Sequence, residues 1–205
     1  GIPEDAIYAK GVNTTILQKI QSLKKGLESV ESMAKKLNDI FFVGEKAFRP
    51  EKVKLKSFLE EELRKAPEAQ EIEIVIKSKT GHEIEAEVDK EKFVLMLQNI
   101  VKNVADHNNL EDSILLEAKI KEVEHNILIN FMNTGNGLPT GFLDEDFIGF
   151  RKKSADSLGQ GLGGFLINKI VEIHGGSLHI LSPETDFENN RIFAFDLQII
   201  IPKTQ

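Results

Sequence analysis

Two asparagines four residues apart, Asn99 and Asn103, sit in the middle of an amphipathic stretch spanning residues 93–107. Asparagine is a poor helix former, because its amide competes for the backbone's hydrogen bonds. At this spacing both side chains project from one helix face. Phe93, Val94, Leu97, Ile100, Val101 and Val104 would face a core, leaving Asn99, Asn103, Asp106 and His107 on the opposite arc. Amide oxygens there could hold Mg²⁺, which takes oxygen ligands, keeps several waters and rides on substrate phosphates. Amide N–H groups could hold the phosphate oxygens. From this helix alone, a solvated polar face explains the pair equally well.

Two glycine-bearing segments follow. Asn133-Thr134-Gly135-Asn136-Gly137 closes an apolar run, and its glycines permit close backbone approach and positive φ where a ligand lies flat on the chain. An ordinary turn also favours Asn-Gly. Gly159-Gln160-Gly161-Leu162-Gly163-Gly164 then leads straight into a helix carrying Leu166, Ile167, Ile170 and Val171. Free N–H groups at such a helix start, with the dipole behind them, attract anions. A dinucleotide fold does not fit, since no strand directly precedes the glycines and no acidic ribose partner follows about 20 residues on.

Several elements must position these residues. Ile16, Ile20, Leu23, Leu27, Val30, Ala34, Leu37, Phe41 and Gly44 alternate at spacings of four and three, the seam of a coiled-coil or bundle helix. Such a seam needs a partner helix. Arg49-Pro50 ends it. Residues 53–66 read as a short amphipathic helix stopped by Pro67. Ile72, Ile74 and Ile76, then Ile84, Ala86 and Val88 across Thr80-Gly81, read as two half-buried strands in a hairpin. Asp89 suits the cap of the next helix, which runs to His107. Strands follow at 114–123 and 126–132, then an irregular stretch to Gly159, a helix from Gly163 to His174 stopped by Gly175-Gly176, and strands at 178–181 and 192–201. From residue 68 the pattern is an α+β sandwich: a mixed sheet of about five strands with helices on one face.

Composition removes other classes. The 205 residues contain no cysteine, which excludes a disulfide framework, a thiolate metal site and a cysteine nucleophile. The formal charge of −7 argues against a general nucleic-acid binder, which normally carries a basic stripe. No apolar run approaches the roughly 18 residues of a membrane span. The chain starts at Gly1, so an excised piece of something longer is expected, with no membrane contact of its own.

Taken in order, these segments resemble the ATP-binding catalytic domain of bacterial sensor histidine kinases, within the superfamily shared with DNA gyrase, Hsp90 and MutL. Gln98-Asn99-Ile100-Val101-Lys102-Asn103-Val104 resembles that family's N box and Asn133-Thr134-Gly135-Asn136-Gly137 its G1 box. Phe147-Ile148-Gly149-Phe150 resembles the F box, residues 159–163 the G2 box, and Ile173-His174-Gly175-Gly176 a typical tail. The resemblance covers residues 68–202. It implies a two-layer α/β sandwich of the Bergerat type, a mixed and mostly antiparallel sheet with helices on one face, preceded by a long bundle helix. The expected division is a partial dimerisation and phosphotransfer helix at 1–48, a linker with a short helix at 49–67, and the ATP-binding domain at 68–205.

The resemblance also implies roles. Asn103 would hold Mg²⁺ and Asn99 the phosphates, these two forming the catalytic pair. Asn133 would meet the adenine amino group, with Gly135 and Gly137 letting the base lie against the loop. His107 and Lys152 would contact the nucleotide, and Gly159, Gly161, Leu162 and Gly163 would cradle its phosphates. Residues 138–160 would form an ATP lid, in which Arg151 and Lys153 offer further positive charge or simply a solvated basic patch. ATP and Mg²⁺ are the cofactors implied. The implied partners are a second copy through the 14–45 helix and a response-regulator receiver domain, in a bacterial cytoplasmic setting that includes the cytosolic part of a membrane-anchored sensor.

The sequence departs from the family in three places. The family's adenine-binding aspartate is Asn133 here, Asp106 stands where many members place lysine, and none of His82, His107, His125, His174 or His179 lies on the bundle helix in a phosphoacceptor context. The acceptor histidine is therefore expected on an upstream helix, and this chain alone should not autophosphorylate. ATP-hydrolysing relatives place a glutamate four residues before the magnesium asparagine. Asn99 at that position cannot act as a base at neutral pH, which argues for phosphoryl transfer over hydrolysis. Anti-sigma serine kinases lack the preceding heptad helix. The alternative from another class is a degenerate nucleotide-binding domain serving as a dimerisation or phosphotransfer scaffold.

Overall fold

The computed structural model describes residues 4–80, 82–108, 113–137, 144–148, 162–181, 185–186 and 191–203. It forms two compact units, divided between Phe41 and Phe42. The first is the bulk of one helix, α1 (Glu4–Glu45). The stripe expected from its heptads is real: Ile16, Ile20, Leu23, Leu27 and Val30 are all exposed along it.

The second unit holds the sheet. Strands β2 (Ile72–Ser78), β4 (Ile114–Val123), β5 (Asn126–Asn133), β6 (Ser177–Leu181) and β9 (Phe195–Pro202) line up in the order β2-β4-β5-β9-β6. All neighbours are antiparallel except β2 and β4, which run parallel from Ile72 opposite Ile114 to Ser78 opposite Ile120. The mixed, mostly antiparallel sheet expected from the sequence is thus present. Helices α2 (Leu55–Arg64), α3 (Lys90–His107) and α5 (Leu162–Ile173) cover one face. Period-two alternation sends Ile74, Leu116, Ala118, Ile129, Phe131, Leu197 and Ile199 into that layer. They meet Leu59, Leu63, Met96, Leu97, Ile100, Leu166, Ile167 and Ile170 from the helices, all buried. On the sheet's other face Leu115, Met132 and Phe193 form a small buried cluster against Val75.

Four local expectations need correction. Ile72–Ser78 and the strand β3 (Glu85–Val88) do not form a hairpin: β3 pairs antiparallel with a short strand β1 (Glu51–Lys54), in a separate two-stranded sheet. Alternation reports which face of a strand is buried but not which strand it pairs with. Val53 accordingly belongs to β1, and the helix after it begins at Leu55. The final strand is interrupted as well. Arg191–Ile192 (β8) pairs with Thr185–Asp186 (β7), and the sheet strand resumes at Phe195 because Phe193 turns into the second-face cluster. A one-turn helix, α4 (Asp144–Ile148), lies within the stretch expected to be irregular.

Candidate functional site

Helix α3 is the spine of the site. Asp89 caps it, accepting the Lys92 N–H at 3.3 Å, and the apolar arc from Phe93 to Val104 anchors it on the sheet. The polar arc is not uniformly solvated. Asn99 is 8% exposed and spends one amide proton on the Leu95 carbonyl at 2.8 Å, while Asn103 and Asp106 are half-buried and His107 is exposed. The helical wheel placed all four residues away from the core. It could not show that α2 and α5 flank α3 on both sides and narrow the accessible arc.

Asn103 lies directly against the start of α5. A Cβ built on Gly163 would stand 2.8 Å from Asn103 Oδ1 and 3.3 Å from its Nδ2. Real Cβ atoms do not approach that closely, so a side chain at Gly163 would displace the Asn103 amide from its present position. Leu162, beside it, is buried and anchors the first turn of α5. The next residue, Gly164, meets the Phe147 carbonyl of α4, and the Phe147 ring lies 6.0 Å from that of Phe195.

The third component is the end of β5. Asn133 is 3% exposed, and its amide nitrogen donates to the Thr134 carbonyl at 2.8 Å, which leaves the amide oxygen as an acceptor. Thr134 continues the ladder by side chain, its hydroxyl accepting the Leu115 N–H at 3.0 Å. Gly135 then turns with φ +106°, and Gly137 passes so close to the residue before β9 that a Cβ would stand 2.9 Å from the Ala194 carbonyl.

Asn103 and Gly163 are therefore brought together, with Asn99 one turn earlier on α3 and Leu162 beside Gly163, and the loop that follows Asn133 reaches the C-terminal end of α3 at His107 through Asn136. Gly159, Gly161, Lys152, Arg151 and Lys153 lie outside the described residues, as do Gly149 and Phe150. Asp106 forms an ion pair with Lys102 at 3.4 Å, and Lys102 also approaches Glu68 at 3.8 Å. The negative charge expected to oppose phosphate is thus partly offset from within its own helix. Two residues that the sequence did not mark, Asn108 and Asn136, join α3 to the Gly135 loop. An asparagine after a helix is a common stop signal, but nothing local in the sequence names its distant partner.

Among the described residues no three histidine, aspartate or glutamate side chains converge on a possible metal site. An all-protein metal cage is thus not what this arrangement offers. The Asn103 amide oxygen beside the start of α5 suits a Mg²⁺ ion that brings its own phosphate oxygens and waters.

Over residues 88–199 the sequence matches the family described as histidine kinase-, DNA gyrase B- and HSP90-like ATPase. No curated protein matches it. Similar solved structures include the nucleotide-free catalytic domain of histidine kinase ThkA, at 18% identity and TM-score 0.60, covering 77% of this chain and 99% of that one. Another is the Acinetobacter baumannii histidine kinase AdeS, at 16% identity and TM-score 0.63, covering 91% of this chain and 84% of that one. A third is ThkA in complex with the response regulator protein TrrA, at 15% identity and TM-score 0.62, covering 86% of this chain and 49% of that one. At these identities the likeness is one of fold.

Proposed function

The chain belongs to the histidine kinase-, DNA gyrase B- and HSP90-like ATPase family, and on that basis we propose that it is the ATP-binding catalytic portion of a sensor histidine kinase. The observation that carries this reading is the approach of Asn103 to Gly163, which sets an amide oxygen at the N-terminus of α5. Asn103 would hold Mg²⁺, and the bound ion would neutralise charge on the phosphates. Asn99 would present its remaining amide proton to them. Leu162 and Gly163 would offer first-turn N–H groups, where the helix dipole favours anions. The Asn133 amide oxygen would accept from the adenine 6-amino group, with Gly135 and Gly137 beside the base and His107 at the rim. Lys152, Gly159 and Gly161 complete the proposed phosphate contacts.

Neither the Asn99 nor the Asn103 amide can take a proton from water at neutral pH. The site therefore supports positioning and charge stabilisation of a transferred phosphoryl group, with the nucleophile coming from elsewhere. That nucleophile would be a histidine imidazole outside residues 4–45, since no histidine lies on α1. The proposed division is a dimerisation and phosphotransfer helix at 1–48, a linker at 49–67 and the ATP-binding domain at 68–205. The exposed seam of α1 supports a homodimer through residues 14–45. A receiver domain is the proposed downstream partner, by analogy with the ThkA–TrrA complex. Among the described residues no helix is long and apolar enough to cross a membrane.

The test is a calorimetric titration with a non-hydrolysable ATP analogue and Mg²⁺. Saturable binding that Asn103→Ala abolishes is expected. No heat at millimolar ligand would leave the scaffold reading in its place. Phosphoryl transfer from ATP to an added histidine-bearing helical hairpin distinguishes kinase from simple nucleotide binder.

A further inference from the structure

We propose that Asn108 and Asn136 form a latch that fixes the Gly135–Gly137 loop to the end of α3, and that Asn108 thereby acts as a positioning residue for adenine selectivity. The proposal rests on the reading of this loop as the base-binding one. Its support lies in contacts that neither residue's local sequence requires.

Helix α3 ends at His107, and Asn108 has already left it, with φ −122° and ψ 156°. Its side chain folds back over the last turn. The amide nitrogen donates to the Val104 carbonyl at 2.7 Å, and the amide oxygen accepts the Asn136 N–H at 2.6 Å. Asn136 answers in the other direction, its side-chain amide donating to the His107 carbonyl at 3.0 Å. Two of the four carbonyls that a helix end leaves without intrahelical partners are thus satisfied by asparagine side chains. A loop amide is held in the same exchange. The approach is close enough that a Cβ on Gly135 would collide with the Asn108 amide oxygen, and Gly135 has a φ of +106°, where L side chains are rarely found.

This ties the base end of the site to the helix that carries Asn99 and Asn103. The loop lies two residues beyond Asn133, whose amide oxygen is an acceptor. An acceptor there favours a purine with an amino group at position 6 and disfavours one with a carbonyl, but only while the backbone at Gly135 and Gly137 holds the base in register. A loop already fixed before the ligand arrives does not have to be ordered at binding, which is the general benefit of preorganisation. Breaking the latch should therefore weaken the preferred base more than the disfavoured one.

The experiment measures ADP and GDP dissociation constants, with Mg²⁺, on the 205-residue chain and its variants, recording a thermal melt for each. The unaltered chain should prefer ADP. Asn108→Ala should lose about tenfold in ADP affinity with little change for GDP, so that the ratio collapses. Asn108→Asp keeps an acceptor for the Asn136 N–H and should restore much of the ratio. Asn136→Ala alters an exposed side chain and should shift the ratio about threefold, which keeps the test open if Asn108→Ala does not fold. Hydrogen exchange should find the Asn136 amide protected in the unaltered chain and released in Asn108→Ala. A chain that prefers ADP and keeps its ratio in all variants overturns the latch and leaves the functional reading standing. A chain that binds neither nucleotide overturns both.

Discussion

A single absent side chain decides the geometry of the proposed metal position. At Gly163 the atom that a Cβ would strike is the end of the Asn103 side chain, which can rotate away at little cost. Alanine is also the better helix former by about 1 kcal/mol. Gly163→Ala is therefore expected to fold with an unchanged or slightly raised melting temperature while losing at least tenfold in Mg²⁺-nucleotide affinity. Melting and calorimetry run side by side check this, and unimpaired binding would rule out the role given to Asn103. At Gly164 the obstructing atom is a backbone carbonyl, that of Phe147, so the same substitution there strikes the fold itself. The asparagine pair and the glycines were legible from residue type and spacing. The close approach was not, because Asn103 and Gly163 lie sixty residues apart in sequence and meet only when α3 and α5 dock.

Among the elements, the start of α3 holds a concentrated set of buried polar contacts. Lys92, 1% exposed, donates from Nζ to Asp89 at 3.0 Å and to the carbonyls of Lys46 and Ala47 at 3.2 and 3.4 Å. Asp89 also accepts the Arg49 N–H at 3.0 Å. His174, from the end of α5, accepts the Asp89 N–H on Nε2 at 3.0 Å, and its Nδ1 donates to the Ile170 carbonyl at 2.7 Å. The rings of Phe48 and Phe93 stand edge-on to it at 5.0 and 5.4 Å. Burial pushes the His174 pKa below the ordinary 6.5, and protonation would set a new N–H against that of Asp89. Burial alone would raise the Asp89 carboxyl, but the bonds from Arg49 and Lys92 bring it below its ordinary 3.8.

Both shifts point the same way. A group whose pKa falls on folding binds its proton more tightly when unfolded, so its stabilisation holds above the unfolded value and is lost as pH drops through the folded one. Urea midpoints are expected to fall as pH decreases below 6.5 through the His174 window, and to fall again below 3.8 through that of Asp89. His174→Gln should flatten the first decline and leave the second. Lys92→Ala is expected to cost about 3 kcal/mol at neutral pH, since it removes the ammonium partner of the buried Asp89 carboxylate and leaves it only backbone N–H donors. A loss under about 1 kcal/mol would place Lys92 outside the role assigned to it. Asp89 is readable as a helix cap, but Lys92 in the run Lys90-Glu91-Lys92 looks like any solvated lysine.

At the scale of the whole molecule, the two units differ in what they leave exposed. The Phe42–Gln205 unit closes its own core, whereas α1 shows Leu23 at 74%, Leu27 at 60% and Val30 at 63% exposure along one stripe. Burying one such side chain is worth about 1.5–3 kcal/mol, so several together can hold two helices against the entropy of association. The full chain is expected to sediment as a dimer. The double substitution Leu23→Glu and Leu27→Glu should convert it to a monomer without changing nucleotide affinity. A monomeric unaltered chain would remove the proposed dimer helix.

The sequence by itself determined the type and order of the main elements, the seam of α1, the sandwich class and the asparagines and glycines proposed for the site. These depend on periodicity, turn chemistry and local spacing, which act within a few residues. Tertiary structure alone decided that β2 pairs in parallel with β4 rather than in a hairpin with β3, that Asn99 is buried, that Lys92 binds the chain before α3, and that Asn108 reaches Asn136. In each case the deciding contact joins segments whose separation along the chain carries no periodic signal, so the partner is set by which surfaces meet when the layers close.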